Sequence, residues 1–320
     1  MKEKINICFS SDDNYAPYMG MAIFSILRNS GLEESFHFYI LDNNISEENK
    51  QKIEKFKERY SFEITYLTLD EKIFKNCNVK RSNWTLSIFG RFLIPKIIPV
   101  DKVLYLDCDV FVRDTLLPLW HEDISNYYVA GVPDYNVIYR GKFEKRFDDK
   151  FNSMEYLNSG VLLINNKKWK EENLFNLLLD FFVVKSSLLK YPDHDAINYI
   201  CRKGKKILPA RWNVMGYLYK PDLFLDNPKY QEIIQERERA VIRHFHPWKK
   251  NAFSPYRDEY LGLMRVSPWG ALVPKDDLKY VALIKKIFRY LWRHPFCFLF
   301  PKFYRRWKYR KTLWLFFDMI

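Results

Sequence analysis

Glycine and proline are scarce in this chain, with 10 and 15 residues among 320. That scarcity excludes a low-complexity or disordered architecture. Cysteine is scarce too. Cys8, Cys77, Cys108, Cys201 and Cys297 are odd in number, widely spaced and never in a C-x-x-C pair. A disulfide framework is therefore excluded, and reduced thiols in a cytoplasmic protein are expected. No apolar run approaches the roughly 20 residues that span a bilayer. The longest, Phe296 to Phe300, is boxed between Pro295 and Pro301. Met1-Lys2-Glu3-Lys4 leads directly into Ile5-Asn6-Ile7-Cys8-Phe9, so no signal peptide is expected. Internal repeats are absent. One region also lacks acid: Leu278 to Phe317 holds eleven Lys/Arg, fourteen aromatics and no Asp or Glu. The net charge of +13 belongs mostly to that stretch, because the remainder carries 41 basic against 39 acidic residues.

A hydrophobic content of 48% and an aromatic content of 18% suffice for a large core. Apolar strand-like runs occur at Ile5–Ser10, Phe36–Leu41, Phe62–Leu69, Val103–Leu106, Tyr128–Val132, Asn158–Ile164 and Ala240–His244. Helical spacing occupies Tyr18–Asn29, a segment capped by Ser46 and running to about Tyr60, Asn83–Pro95, Trp169–Leu188 and Asp193–Cys201. Strands alternating with helices predict an α/β chain with a single, mostly parallel central sheet flanked by helices. Ligands of such sheets bind beyond the carboxyl ends of the strands. Composition shifts after Pro274, which predicts a domain over residues 1–274 and a basic, aromatic helical tail over 275–320.

The most informative segment is Val103-Leu104-Tyr105-Leu106-Asp107-Cys108-Asp109, an apolar strand ending in two aspartates one residue apart. Alternation sends Asp107 and Asp109 to one side and Cys108 to the other. Two carboxylates held at a strand end repel unless a cation lies between them. A hard divalent ion with oxygen ligands, Mn²⁺ or Mg²⁺, suits the pair and commonly bridges to phosphates.

Five ordered blocks resemble the family 8 retaining glycosyltransferases, within which bacterial lipopolysaccharide α-galactosyl- and α-glucosyltransferases are nearest in pattern. They are Phe9-Ser10-Ser11-Asp12-Asp13-Asn14-Tyr15, Lys102 to Asp109, Asn158-Ser159-Gly160-Val161-Leu162-Leu163-Ile164-Asn165, Asp193-His194-Asp195-Ala196-Ile197-Asn198 and His244-Phe245. The resemblance spans about residues 4 to 265. It implies a GT-A fold, a UDP-sugar donor and Mn²⁺ or Mg²⁺ held by Asp107, Asp109 and His244. It further implies that Ser10, Asp12 and Asn14 bind the nucleoside, with Cys108 between the metal ligands. Arg91 aligns with a donor-binding arginine, and it would otherwise be the partner of a carboxylate beneath the sheet. Asp134 and Asp193 align with carboxylates that bind the donor sugar, and Asn158, Ser159 and Gly160 with a close-approach turn. The implied partners are the nucleotide sugar and a glycan or glycolipid acceptor.

Two positions depart from the family's pattern. His194 stands where D-Q-D is usual, near the anomeric carbon, and is assigned with Asp193 as the catalytic pair. Pro247-Trp248-Lys249-Lys250-Asn251 replaces G-x-x-K-P-W; Lys250 keeps the spacing of the phosphate-binding lysine, and Pro247 removes a backbone donor. Since imidazole is a poor glycosyl nucleophile, front-face departure is expected, with the acceptor attacking on the side UDP leaves.

From Leu278 the apolar residues recur at helical spacing, with Lys279, Lys285, Lys286, Arg289 and Arg293 between them. Such a segment reads as a peripheral anchor on anionic lipid, here the inner face of the cell membrane. Rival readings are a nucleotide-sugar hydrolase on the same fold and a nucleic-acid-binding protein using the tail. Charge confined to the tail, with no RNA-binding motif, argues against nucleic acid.

Overall fold

The computed structural model describes residues 2–74, 89–139, 155–185, 188–219, 230–245 and 256–273. The chain divides into two compact units, Met1–Val214 with Gln231–His244 and Met215–Tyr230 with Phe245–Ile320. At the centre of the main sheet the strands are buried on both faces, at its edges Glu63–Thr68 and Lys205–Ile207 are partly exposed, and apolar runs make up most of the described strands. These are β1 (Glu3–Asp12), β2 (Glu34–Asn43), β3 (Glu63–Thr68), β4 (Lys102–Leu106), β5 (Val110–Val112), β6 (Val129–Pro133), β7 (Leu157–Asn165), β8 (Lys205–Ile207), β9 (Val214–Met215) and β10 (Ile242–His244).

Seven strands form the main sheet in the order β3-β2-β1-β4-β7-β6-β8. The β3–β2, β2–β1, β1–β4 and β6–β8 pairings are parallel, whereas β7 runs antiparallel to both neighbours. The sheet is thus mixed but mostly parallel, as expected, with β7 alone running against the other six strands. Residues Leu157 to Ile164 of β7 are all buried, so no polar alternation along that run betrays its direction. The expectation of a single sheet is corrected, because β5, β10 and β9 form a second, three-stranded sheet.

Strand β7 determines the site's position. Its reversed course brings its first residues, not its last, to the edge where β1, β4 and β6 end. Leu106 lies opposite Val161 and Pro133 opposite Leu157. The register of β6 shifts between Gly131 and Pro133, where proline offers no ladder donor. The Asp134 N–H then donates to the Tyr156 carbonyl at 2.7 Å, clasping the start and end of the connection between these strands.

One face of the sheet presents Cys8, Tyr39, Leu41, Tyr105 and Leu162 to Phe92, Trp169, Leu178, Phe182 and Ile197 from the covering helices. Ser46 caps the helix Glu47–Glu54, its oxygen accepting the Asn49 N–H at 3.3 Å, and a 3-10 turn extends that helix to Glu58. The helix expected over Trp169–Leu188 is instead two helices, Asn166–Glu171 and Leu174–Lys185. Asn173, at φ 52°, turns the chain between them. Of the helix expected over Asn83–Pro95, the described part is a 3-10 turn, Gly90–Leu93, followed by a new helix, Ile94–Ile97, with proline in its first turn.

In the second unit, the helix Arg257–Arg265 buries Tyr260, Leu261, Leu263 and Met264. Phe245 meets the Tyr260 ring edge-on at 5.3 Å, and the Tyr219 hydroxyl donates to that of Tyr256 at 2.8 Å. No described helix is long and apolar enough to cross a membrane. Lys250, Pro247 and the tail over 275–320 lie outside the described residues.

Candidate functional site

Strand β4 ends at Leu106 and β5 begins at Val110, leaving Asp107-Cys108-Asp109 as the turn between two sheets. Its geometry is fixed from both sides. The Asp107 N–H donates to the Gly160 carbonyl at 2.8 Å, and the Cys108 thiol points away to the Ser10 carbonyl at 3.2 Å. Antiparallel pairing of β10 with β5 sets His244 opposite Val110, hence beside the turn. His244 Nε2 lies 3.1 Å from Asp109 Oδ1 and 3.7 Å from Asp107 Oδ2. One ligand atom from each of the three residues falls within 4.8 Å of the others.

Two carboxylates and one imidazole make a donor set that fits Mn²⁺, and Mg²⁺ less fully because of its preference for oxygen. The floor beneath them is bare by necessity. A Cβ on Gly160 would lie 2.2 Å from His244 Cε1 and 2.7 Å from Asp107 Oδ2. Burial opposes an imidazolium at His244, but the Asp109 carboxylate and Asp107 outweigh it and raise the His244 pKa. That pull marks a cation-seeking corner.

Arg91, 4% exposed, ties this corner to the next carboxylate. Its Nη2 donates to Asp107 Oδ1 at 2.9 Å, while Nη1 reaches the Ser159 carbonyl at 2.7 Å and Asp193 Oδ2 at 2.9 Å. The guanidinium also lies over the Tyr105 ring, 4.5 Å from its centroid, and the Tyr105 hydroxyl donates to Asp107 Oδ1 at 3.0 Å. Ser159 Oγ donates to Asp193 Oδ2 at 2.7 Å. Burial would raise the Asp193 pKa, yet Arg91 and His194 hold it well below the usual carboxylate range. Arg91 therefore has the carboxylate partners that its alternative reading required.

A third group lies on the far side of β7. Asn158 Nδ2 donates to Asp134 Oδ2 at 3.1 Å and faces His194 Nε2 at 3.3 Å. His194 Nδ1 lies 3.4 Å from Asp193 Oδ1. Burial works against a charged His194, and Asp193 reverses this, so its pKa is raised. Pro192 in the first turn of the helix Pro192–Ile200 starts the element that presents Asp193 and His194.

At the end of β1, Ser10 is buried, and a Cβ on Gly90 would lie 2.2 Å from its Oγ. Asp12 accepts the Tyr15 N–H at 2.9 Å, and Asp13 accepts the Ser46 N–H and the Asn49 amide, each at 2.8 Å. The loop with Asp12 and exposed Asn14 is thereby pinned to the helix after β2.

Asp107, Asp109, His244, Arg91, Ser159, Gly160, Asn158, Asp134, Asp193 and His194 thus form one connected cluster, joined to Ser10 through Cys108. Asp12 and Asn14 sit on the neighbouring loop at the same edge. Sequence reasoning missed three participants: Tyr105, Gly90 and Asn213. Tyr105 and Gly90 sit inside blocks that were read, but their contacts depend on packing. Asn213 is buried, donates to Asn158 Oδ1 at 2.8 Å and places its Oδ1 3.0 Å from His244 Nδ1. No local signal marks it.

A family model described as Glycosyl transferase family 8 matches residues 6–252. The chain is 35% identical over 212 residues to a putative glycosyltransferase of Haemophilus influenzae, covering 66% of this chain and 63% of that protein. It therefore spans less than two thirds of that relative's length. It is 27% identical over 320 residues to a lipopolysaccharide 1,2-glucosyltransferase of Escherichia coli K12, covering 95% of this chain and 93% of the relative. Among solved structures, the galactosyltransferase LgtC in complex with donor and acceptor sugar analogues superposes with a TM-score of 0.71 at 25% identity. That match covers 85% of this chain and 98% of the other.

Proposed function

The chain belongs to glycosyl transferase family 8, an α/β enzyme of GT-A type and hexosyltransferase class, and from that premise we propose that it moves glucose or galactose from a UDP-sugar to a hydroxyl of a lipopolysaccharide or other cell-surface glycan, with retention at the anomeric carbon. The observation that carries this reading is the convergence of Asp107, Asp109 and His244 within 4.8 Å, directly beside the Arg91–Asp193 ion pair.

Asp107, Asp109 and His244 hold Mn²⁺ or Mg²⁺. When bound, the ion neutralises the diphosphate and favours departure of UDP. Ser10, Asp12, Asn14 and Cys108 frame the nucleoside. Asp134, Asn158, Ser159, Gly160 and Asp193 surround the donor hexose, with Arg91 orienting Asp193 and Asp107. Lys250 takes the phosphates. His194 stands by the anomeric centre.

The carboxylates bear on the stereochemical route. Asp193 Oδ2 is shared by Arg91 and Ser159, and Oδ1 faces His194. Asp134 Oδ1 accepts the Val137 N–H at 3.1 Å while Oδ2 accepts from Asn158. Carboxylates engaged in this way are poor nucleophiles, which supports front-face transfer, in which the leaving phosphate takes the acceptor's proton. We further assign residues 275–320 as a membrane-associating tail, which would seat the enzyme at the inner face of the membrane against a lipid-linked acceptor. Pelleting with anionic liposomes, lost on truncation at Pro274, tests that assignment.

The central experiment incubates the protein with Mn²⁺ and a panel of nucleotide sugars, measuring UDP release with and without a glycan acceptor. UDP-glucose or UDP-galactose should stand out, and acceptor should accelerate release. Asp107→Asn should abolish turnover; undiminished turnover would overturn the assignment. Release at the same rate without acceptor would mark a hydrolase instead.

A further inference from the structure

Two asparagines connect the cation corner to the donor-sugar side, and their amides can be oriented without ambiguity. Asn158 Oδ1 accepts the backbone N–H of Gly160 at 2.9 Å, a group that can only donate. At the other end of the same amide, Nδ2 donates to Asp134 Oδ2. Asn158 Oδ1 is thus an acceptor, and the Asn213 group facing it at 2.8 Å must be the Nδ2 donor. Asn213 Oδ1 is then turned to His244, where Nδ1 lies 3.0 Å away. A carbonyl oxygen accepts, so the proton of neutral His244 resides on Nδ1. Nε2 keeps its lone pair, and this is the nitrogen aimed at Asp107 and Asp109.

We propose that Asn213 is the positioning residue that sets the ring tautomer of His244 and so prepares Nε2 as a metal donor. The inference rests on the reading of Asp107, Asp109 and His244 as a cation site, and it adds the residue that orients one ligand. A ligating histidine is normally held through its other ring nitrogen by an acceptor. Here that acceptor is a neutral amide, itself fixed through Asn158 by a backbone N–H. All the links are buried: Asn213 is 1% exposed, Asn158 3% and His244 6%. The same Asn158 amide directs an N–H at His194 Nε2, so one relay assigns the neutral tautomer of both histidines. Substituting Asn213 thereby removes a device for ring orientation without touching any ligand atom.

The test compares the wild-type chain with Asn213→Leu and Asn213→Asp, labelled with ¹⁵N-histidine. His244 is assigned by the signal lost in His244→Gln. Long-range ¹H–¹⁵N spectra without metal report the tautomer, and Mn²⁺ titration followed by electron paramagnetic resonance reports affinity. Wild type should show protonated Nδ1. Asn213→Leu should lose that signature and bind Mn²⁺ about 10–100-fold more weakly. Asn213→Asp keeps an acceptor toward Nδ1 while setting its other oxygen against Asn158 Oδ1, so the Nδ1 signature should survive although the link to Asn158 is lost. Cooperative thermal unfolding of each variant verifies its fold. A neutral wild-type ring, observed above its pKa, that carries its proton on Nε2 rather than Nδ1, or a folded Asn213→Leu with unchanged tautomer and Mn²⁺ affinity, would overturn the proposal. Wild type that binds no Mn²⁺ but shows an Nδ1 proton dependent on Asn213 would sustain the relay and remove the cation reading.

Discussion

Gly160 and His244 are packed so closely that a methyl on the glycine would lie 2.2 Å from Cε1 of the ring. Gly160→Ala must therefore push His244 away from Asp107 and Asp109, or bend the start of β7. Overpacking of this kind costs about 1–3 kcal/mol. The expected result is a lower unfolding midpoint and a Mn²⁺ affinity reduced more than tenfold, read by calorimetry and metal titration. Wild-type values for both would refute the crowding argument.

Arg91 bridges two carboxylates in a buried setting, so its removal leaves charge without compensation. Arg91→Met should destabilise the protein by about 3–5 kcal/mol, the range seen when one partner of a buried ion pair is deleted. Arg91→Lys should recover only part of that loss, because a point charge cannot fork between Asp107, Asp193 and Ser159. Denaturant unfolding of the two variants gives the comparison.

His194 gives the carboxylate cluster around Asp193 a titratable ring. Asp193 raises its pKa above the ordinary 6.5, against the effect of burial. Protonation at Nε2 would set N–H against the Asn158 amide and add positive charge where an oxocarbenium would develop. Turnover should thus fall as pH drops through that pKa and recover above it. His194→Gln should lose this acid limb while the enzyme remains active. An unchanged pH profile of kcat/KM in the variant would exclude the ring as its source.

Lys205 offers a test of stability against pH. Burial pushes its amine down to about 8 from an ordinary 10.5, and Nζ donates to the Glu155 carbonyl at 2.6 Å. Between those values the unfolded chain holds a proton that the folded chain has released, so stability rises with pH across that window. Below it the folded state keeps the charge at a cost. Lys205→Met should flatten the rise, measured as unfolding free energy between pH 7.5 and about 10.5.

Much of this architecture can be read from local patterns. The alternation around Cys108 placed Asp107 and Asp109 on one side, and Ser46 capped its helix where it should. The direction of β7 was not legible, because a strand buried on both faces shows the same apolar run either way. Nor was Asn213, whose partners Asn158 and His244 lie 55 and 31 residues distant; it directly precedes β9, which adjoins β10 and so His244. Arg91 was visible as a residue, but its choice between sugar and carboxylate depended on where Asp193 would pack.

The clasp between the Asp134 N–H and the Tyr156 carbonyl has a mechanical consequence. The N–H that closes it belongs to the residue whose carboxylate accepts from Asn158, so a shift at the start of β7 carries that carboxylate with it. The two ends of the connection therefore move as one body.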